Sequence, residues 1–224
     1  MAAIDQKQQA GSSRRRAERE ARRRFILESA RGLLAEKGIG DIRMDDIAAA
    51  SEYTRRTLYS YFKSRDDIWL RINVEDMAAR WESQKRALAE VEGGLARIVV
   101  WAEVLYASWK ARPNTMLVEQ YWDFHGIERE RVSPEVFGEF EALNDELATG
   151  LREIFNAGIE DGSLRPDLPV DVCISQFIHS LRAVLGRALS SSYSFAEFDA
   201  DQYVRHFLDQ YQRSVRSDAP RTDS

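Results

Sequence analysis

Apolar residues along this chain recur at spacings of three and four, the period of an α-helix, and nowhere in the sustained alternation that marks a strand. Ile26, Ala30, Leu33 and Leu34 form the first such stripe. Two short apolar runs follow, Met44 to Ala50 and Thr54 to Phe62, separated by a break at Ser51 to Tyr53. Longer periodic segments then predict helices near 64–89, 93–111, 114–125, 134–158, 170–189 and 195–215, with Pro113, Pro134, Pro166 and Pro169 where the pattern resets. Ser64 with Asp67, and Ser194 with Glu197, have the spacing of capping boxes. Gly38 is expected to end the first helix in a left-handed conformation. The polar stretch Met1–Ser13 reads as disordered.

The expected fold class is therefore all-α, with an N-terminal three-helix unit followed by a larger helical bundle. The boundaries read from the pattern are a basic, disordered arm over 1–20, a small domain over 21–66, the bundle over 67–216 and a disordered tail over 217–224.

Composition narrows this reading. No apolar run approaches the ~18 residues that span a bilayer, and the arginine-rich start lacks the apolar core of a signal peptide, so a cytoplasmic protein with no membrane partner is expected. The lone Cys173, flanked by Val172 and Ile174, reads as a buried, inert thiol. The net charge of −5 conceals a division. Residues 1–63 hold 14 Lys or Arg against 9 Asp or Glu, a net of +5, which leaves −10 for the remainder. A basic module for a polyanion, attached to an acidic body, fits that separation.

The basic module has a specific geometry. Two very short helices joined by a tight turn, after a longer one, form the arrangement that presents a second helix to the DNA major groove. Ile47, Ala48, Leu58 and Phe62 would pack on Ile26, Ala30 and Leu33. That leaves Arg55, Arg56, Thr57, Tyr59, Ser60 and Tyr61 outward, with Lys63 just beyond and Thr54 placed as the cap. Guanidinium groups and hydroxyls suit phosphates and base edges, so these residues, with Arg43, are the candidate DNA contacts. The run RRRAEREARRR reads either as a solvated helix start or as an arm on DNA.

Ile47-Ala48, Thr57-Leu58-Tyr59 and Tyr61-Phe62-Lys63-Ser64, together with Gly38, make about 45 residues of this chain resemble the TetR family of bacterial regulators. Three positions depart from the family pattern: Arg43 replaces a threonine cap, Arg56 replaces a small residue, and Glu52 stands at a turn position usually held by glycine. Glu52 must either adopt a left-handed conformation, at roughly 1–2 kcal/mol, or alter the turn.

The resemblance implies a repressor that binds a palindromic operator in double-stranded DNA as a homodimer, and a C-terminal domain that takes a small-molecule effector. Candidate pocket residues are the aromatics Trp101, Tyr106, Trp109, Tyr121, Trp122, Phe137 and Phe140, with Gln120, His125 and Asn144 as polar anchors. The apolar stripes of the last two long helices, Phe177, Ile178, Leu181 and Leu185 on one and Phe207, Leu208 and Tyr211 on the other, are the candidate dimer interface. No cofactor and no metal are expected. A helical di-iron enzyme would need Glu-x-x-His pairs, but Trp122, Gln176 and Tyr203 stand three residues before the three histidines. Gly38-Ile39-Gly40 lacks the third glycine of a dinucleotide loop. A helical dimeric adaptor, or a small-molecule-binding protein without specific DNA binding, is the other reading.

Overall fold

The computed structural model describes residues 2–189 and 199–217. Their elements, in chain order, are α1 (Ala2–Glu36), α2 (Met44–Ala50), α3 (Arg55–Tyr59), α4 (Arg65–Ala89), α5 (Gly94–Ala111), α6 (Pro113–His125), a 3-10 turn (Arg129–Arg131), α7 (Pro134–Glu160), α8 (Val170–Leu189) and α9 (Ala200–Val215). The expected all-α architecture holds. Among the described residues, none of the helices is long and apolar enough to cross a membrane.

Three local expectations are corrected. The segment read as a disordered arm is helical from Ala2, because Arg, Glu and Ala are strong helix formers and pairs such as Arg14 with Glu18, 2.9 Å apart, lie one turn apart. Gly38 does not take a left-handed conformation; its carbonyl instead accepts from the Asp41 N–H at 2.9 Å in a following turn. The capping box proposed at Ser194 and Glu197 lies outside the described residues, and α9 begins at Ala200, capped by the Asp199 carboxylate on the Gln202 N–H at 2.7 Å. By contrast the Ser64 cap forms as expected, its hydroxyl accepting from the Asp67 N–H at 3.2 Å.

The chain divides into two compact units: Met1–Ile72 with Gly126–Phe137, and Asn73–His125 with Gly138–Ser224. The first boundary falls six residues later than the sequence implies, inside α4, and the first unit gains a distant insert.

In the first unit Ile26, Leu27, Ala30 and Leu34 of α1 are buried with Ile47, Ala48, Leu58 and Phe62, as the period predicts, while Leu33 is only half-buried. The Arg65 guanidinium holds the α1–α2 loop by donating to the carbonyls of Ile42 at 3.0 Å and Gly40 at 3.2 Å. The insert is seated by Val132 and Val136, each 1% exposed. Its backbone is satisfied by residues around the start of α4: Ser64 Oγ donates to the Arg131 carbonyl at 2.5 Å, and the Ser133 N–H donates to Asp67 at 2.8 Å. Arg131 also pairs with Asp66 at 2.8 Å.

The second unit is built around Trp81, Trp101, Trp109, Phe155 and Phe177. The backbones of α5 and α7 meet at Gly94 and Gly158, so closely that a Cβ on Gly94 would lie 2.2 Å from the Gly158 Cα. Gly93 cannot cap α5 with a side chain; Asp161 and Ser163, in the turn that follows α7, accept from the N–H groups of Gly94 at 2.8 Å and Leu95 at 3.2 Å. Burial opposes ionisation of Asp161, but hydrogen bonds from Ser163 and Gly94 outweigh it and hold the carboxyl below its ordinary pKa.

The dimer-interface assignment needs revision. Phe177, Leu181 and Leu185 are wholly covered within the single chain and Leu208 is 6% exposed, so these side chains belong to the chain's own core. One apolar stripe can be buried only once, and here α5 and α9 pack over that of α8. Ile178, Phe207 and Tyr211 remain partly uncovered. Cys173 is buried as expected, and burial raises its thiol pKa.

Candidate nucleic-acid interface

Two short helices cannot persist by propensity alone, so α2 and α3 depend on caps and packing. Arg43 stands at the α2 cap without a side-chain bond to the helix. Its backbone N–H donates instead to Asp46 at 2.8 Å, and Lys37 donates to the same carboxylate at 2.6 Å. Lys37 first, then the Arg43 N–H, hold Asp46 below the usual carboxylate range. At α3, Thr54 caps as expected, accepting from the Thr57 N–H at 3.1 Å.

Between the helices Glu52 has φ +56°, and among the described residues it is the one non-glycine with positive φ. The left-handed alternative is therefore the one adopted. The turn is held by the Ser51 hydroxyl on the Ile47 carbonyl at 2.6 Å and by the Tyr53 N–H on the Ala48 carbonyl at 3.0 Å. The adverse conformation at Glu52 is imposed by its neighbours.

Leu58 and Phe62 face inward and leave the opposite side of α3 exposed. Arg43, Arg55, Arg56, Tyr59 and Ser60 are all exposed there, Thr57 and Tyr61 partly so. Arg55 is held between the Asp45 carboxylate at 3.2 Å and the Tyr59 ring, whose centroid lies 6.0 Å away. Ser60 Oγ donates to the Thr57 carbonyl at 2.6 Å. Lys63 is engaged elsewhere: its ammonium donates to the Val132 carbonyl of the insert.

Two participants were not singled out from the sequence. Arg19 donates to the Ser60 carbonyl at 3.3 Å and lies 5.4 Å over the Tyr61 ring, and Arg23 lies 5.7 Å from the Phe62 ring centroid. The arginine run was visible, but which of its members meet the end of α3 depends on how α1 packs.

The candidate pocket residues do not form one set. Trp101 and Trp109 are buried in the second unit, with the Trp101 ring 5.8 Å from Phe177. Tyr106 donates to Asp201 at 2.6 Å; burial and that carboxylate push its pKa up to about 12. Gln120 packs closely on Gly186. Tyr121 stacks on an exposed His125 at 4.4 Å and meets Trp122 edge-on at 4.9 Å. Phe140 is half-buried, and Asn144 is occupied by a bond to the Phe140 carbonyl at 2.8 Å on its own helix. Phe137 is misassigned: it lies in the first unit, where Arg129 stands 4.2 Å over its ring.

Sequence reading also missed a buried charge cluster in the second unit. Glu119, 2% exposed, accepts from Arg80, from Trp109 Nε1 at 3.2 Å and from Arg182 at 3.3 Å, and Arg182 reaches Asp123 at 3.1 Å. Burial raises the Asp123 pKa, partly offset by Arg182. No spacing rule brings Arg80, Glu119 and Arg182 together.

Comparison with known proteins agrees with this geometry. Residues 26–72 match the family model described as bacterial regulatory proteins, tetR family. Over 154 residues the chain is 26% identical to the HTH-type transcriptional repressor KstR2 of Rhodococcus jostii, covering 67% of this chain and 72% of that protein. Among solved structures, the ketosteroid transcriptional regulator KstR2 of Mycobacterium tuberculosis superposes with a TM-score of 0.66 at 20% identity, covering 88% of this chain and 96% of that one. FadR of Bacillus subtilis, solved with stearoyl-CoA, gives a TM-score of 0.69 at 16% identity, covering 86% and 98%. The helix-turn-helix at Met44–Tyr59, with its exposed cationic and hydroxyl face, thus falls within the residues that are similar to the bacterial regulatory proteins of the tetR family.

Proposed function

We propose that this protein is a repressor that binds a palindromic operator as a homodimer and is released from it by a small, largely apolar molecule. The observation that carries the reading is the exposed face of α3, with Arg55, Arg56 and Tyr59 outward on a helix whose inner side is locked by Leu58. One such helix reads few base pairs, whereas two related by a twofold axis read a palindrome. The partly uncovered Ile178, Phe207 and Tyr211 on α8 and α9 are the apolar residues we assign to the twofold contact.

Three buried groups of the second unit support an effector. Among the described residues, Trp101 Nε1, Trp122 Nε1 and Gln84 Oε1 have no hydrogen-bond partner. Buried polar groups are normally paired, and leaving one unpaired costs about 1–3 kcal/mol. A hydrogen-bond acceptor on an otherwise apolar molecule is the kind of group that would satisfy an indole N–H left in this state. The KstR2 and FadR names, and the stearoyl-CoA bound to the latter, agree with an acyl or polycyclic effector. Because the chain passes between units at 72/73, 125/126 and 137/138, ordering of the second unit has three covalent routes to the first. We read the chain as regulatory and not catalytic.

Duplexes selected by the protein from a random pool, followed by binding titrations with and without fatty acyl-CoA and steroid acids, test this. Recovery of a palindrome whose affinity falls when one of those compounds quenches tryptophan fluorescence is the expected result. Failure to enrich any sequence would overturn the operator; quenching with unchanged DNA affinity would overturn release, because only differential affinity shifts an equilibrium.

A further inference from the structure

The stretch 14–24 of α1 carries seven arginines and two glutamates. Arg15, Arg19 and Arg22 recur at four and three residues and so share one helix face, with Arg16 and Arg23 beside it. Two open grooves run along this face and meet at Arg19, Ser60 and Tyr61. The larger, about 480 Å³, is lined by Arg16, Arg19, Arg23 and Lys63 with Tyr59, and also by the carboxylates of Glu20, Asp67 and Glu135, so four cations face three anions there. The smaller, about 220 Å³, is bordered by Arg15 and Arg22.

We infer that this arginine face of α1 is a second, sequence-independent grip on the phosphodiester backbone of the same duplex that α3 reads. The inference rests on the DNA-binding reading and deepens it. Continuity carries it first: Tyr59 and Ser60, at the end of the reading helix, also line the grooves. Charge carries it next. Arg15, Arg16 and Arg22 are exposed and, among the described residues, have no carboxylate partner, while Glu18, which borders the smaller groove, is neutralised by Arg14 at 2.9 Å. Arg19 is already oriented by the Ser60 carbonyl and the Tyr61 ring, so the face is tied to the position of α3. From Arg15 to Arg22 the helix advances about 10 Å, over which each DNA strand presents about three phosphates.

The test is anisotropy titration of the full chain, across a series of salt concentrations, on a duplex it has selected and on a scrambled duplex of the same composition. The variants are the triple change Arg15→Gln, Arg16→Gln, Arg22→Gln and the charge-preserving Arg15→Lys, Arg16→Lys, Arg22→Lys; Arg19 and Arg23 are spared because they pack on Tyr61 and Phe62. Circular dichroism confirms that both remain folded. Loss of about 0.9 from the slope of log affinity against log salt for each phosphate contact removed, hence about 2–3 per chain and about 5 for the proposed dimer, is expected for the glutamine variant on both duplexes. The preference for the selected duplex should be unchanged, and the lysine variant should keep the wild-type slope. An unchanged slope, or a loss confined to the selected duplex, would overturn the inference. So would equal DNA slopes accompanied by loss of binding to phosphatidylglycerol vesicles, which would assign the face to a membrane. If the wild type does not distinguish the duplexes, the operator reading fails on its own, and the slopes still decide the arginine face.

Discussion

The Lys63 ammonium lies 3.2 Å from the Val132 carbonyl, joining the segment after α3 to a stretch of chain 69 residues away. Lys63 thus helps to seat the Gly126–Phe137 insert alongside Ser64 and Asp67.

Replacing Lys63 with Met should therefore act on stability more than on DNA affinity. A loss of about 0.5–1.5 kcal/mol is expected in urea unfolding, with faster amide exchange at Ser133. If exchange there is unchanged while the salt slope of DNA binding falls by about 1, Lys63 is a phosphate contact after all.

Glu52 is held at φ +56° by the turn around it. Glycine reaches that region without a Cβ penalty, so Glu52→Gly should stabilise the protein by about 0.5–1 kcal/mol even after the extra flexibility of the unfolded chain is counted. Glu52→Val should destabilise it by about 1–2 kcal/mol. Thermal unfolding of the three proteins checks the order, and a glycine variant less stable than wild type would contradict it.

Glu119 satisfies Arg80, Arg182 and the Trp109 indole at once. Glu119→Ala strands a buried guanidinium and should cost about 3–5 kcal/mol. Adding Arg80→Met should restore part of that loss. A double-mutant cycle by denaturant titration measures the coupling, and additive losses would show that the two groups do not depend on each other.

Phe177 and Phe207 distinguish the core from the proposed twofold contact. Phe177→Ala empties a fully buried site and should cost about 3–5 kcal/mol of protomer stability. Phe207→Glu should instead leave helicity near wild type while shifting the protein from dimer to monomer in light scattering. A dimer that survives Phe207→Glu would move the twofold contact elsewhere.

Much of the architecture is legible in the chain. The long helices were readable to within two residues at most ends, because a 3.6-residue apolar period is a local property interrupted by prolines and turns. The helix-turn-helix was readable too, down to the Thr54 cap and the awkward turn at Glu52, since capping and backbone conformation depend on a few adjacent residues. What lay beyond reach was partnership between distant residues. An apolar stripe announces that a helix will be covered but not by what, so Phe177, Leu181 and Leu185 read equally well as interface or core until α5 and α9 close over them. Lys63 shows the same limit for charge: its sequence neighbours place it beside DNA, whereas its nearest acceptor is Val132.

By itself, then, the sequence determined the helices, the turn between α2 and α3, and the outward residues of the reading helix, all products of interactions within about a turn or two of chain. Only the tertiary structure decided that Gly126–Phe137 joins the first unit, that Glu119 meets two arginines, and that Arg19 meets Ser60. Those contacts arise from packing between segments far apart in sequence, and no local spacing encodes which distant surface a buried face or a charge will find.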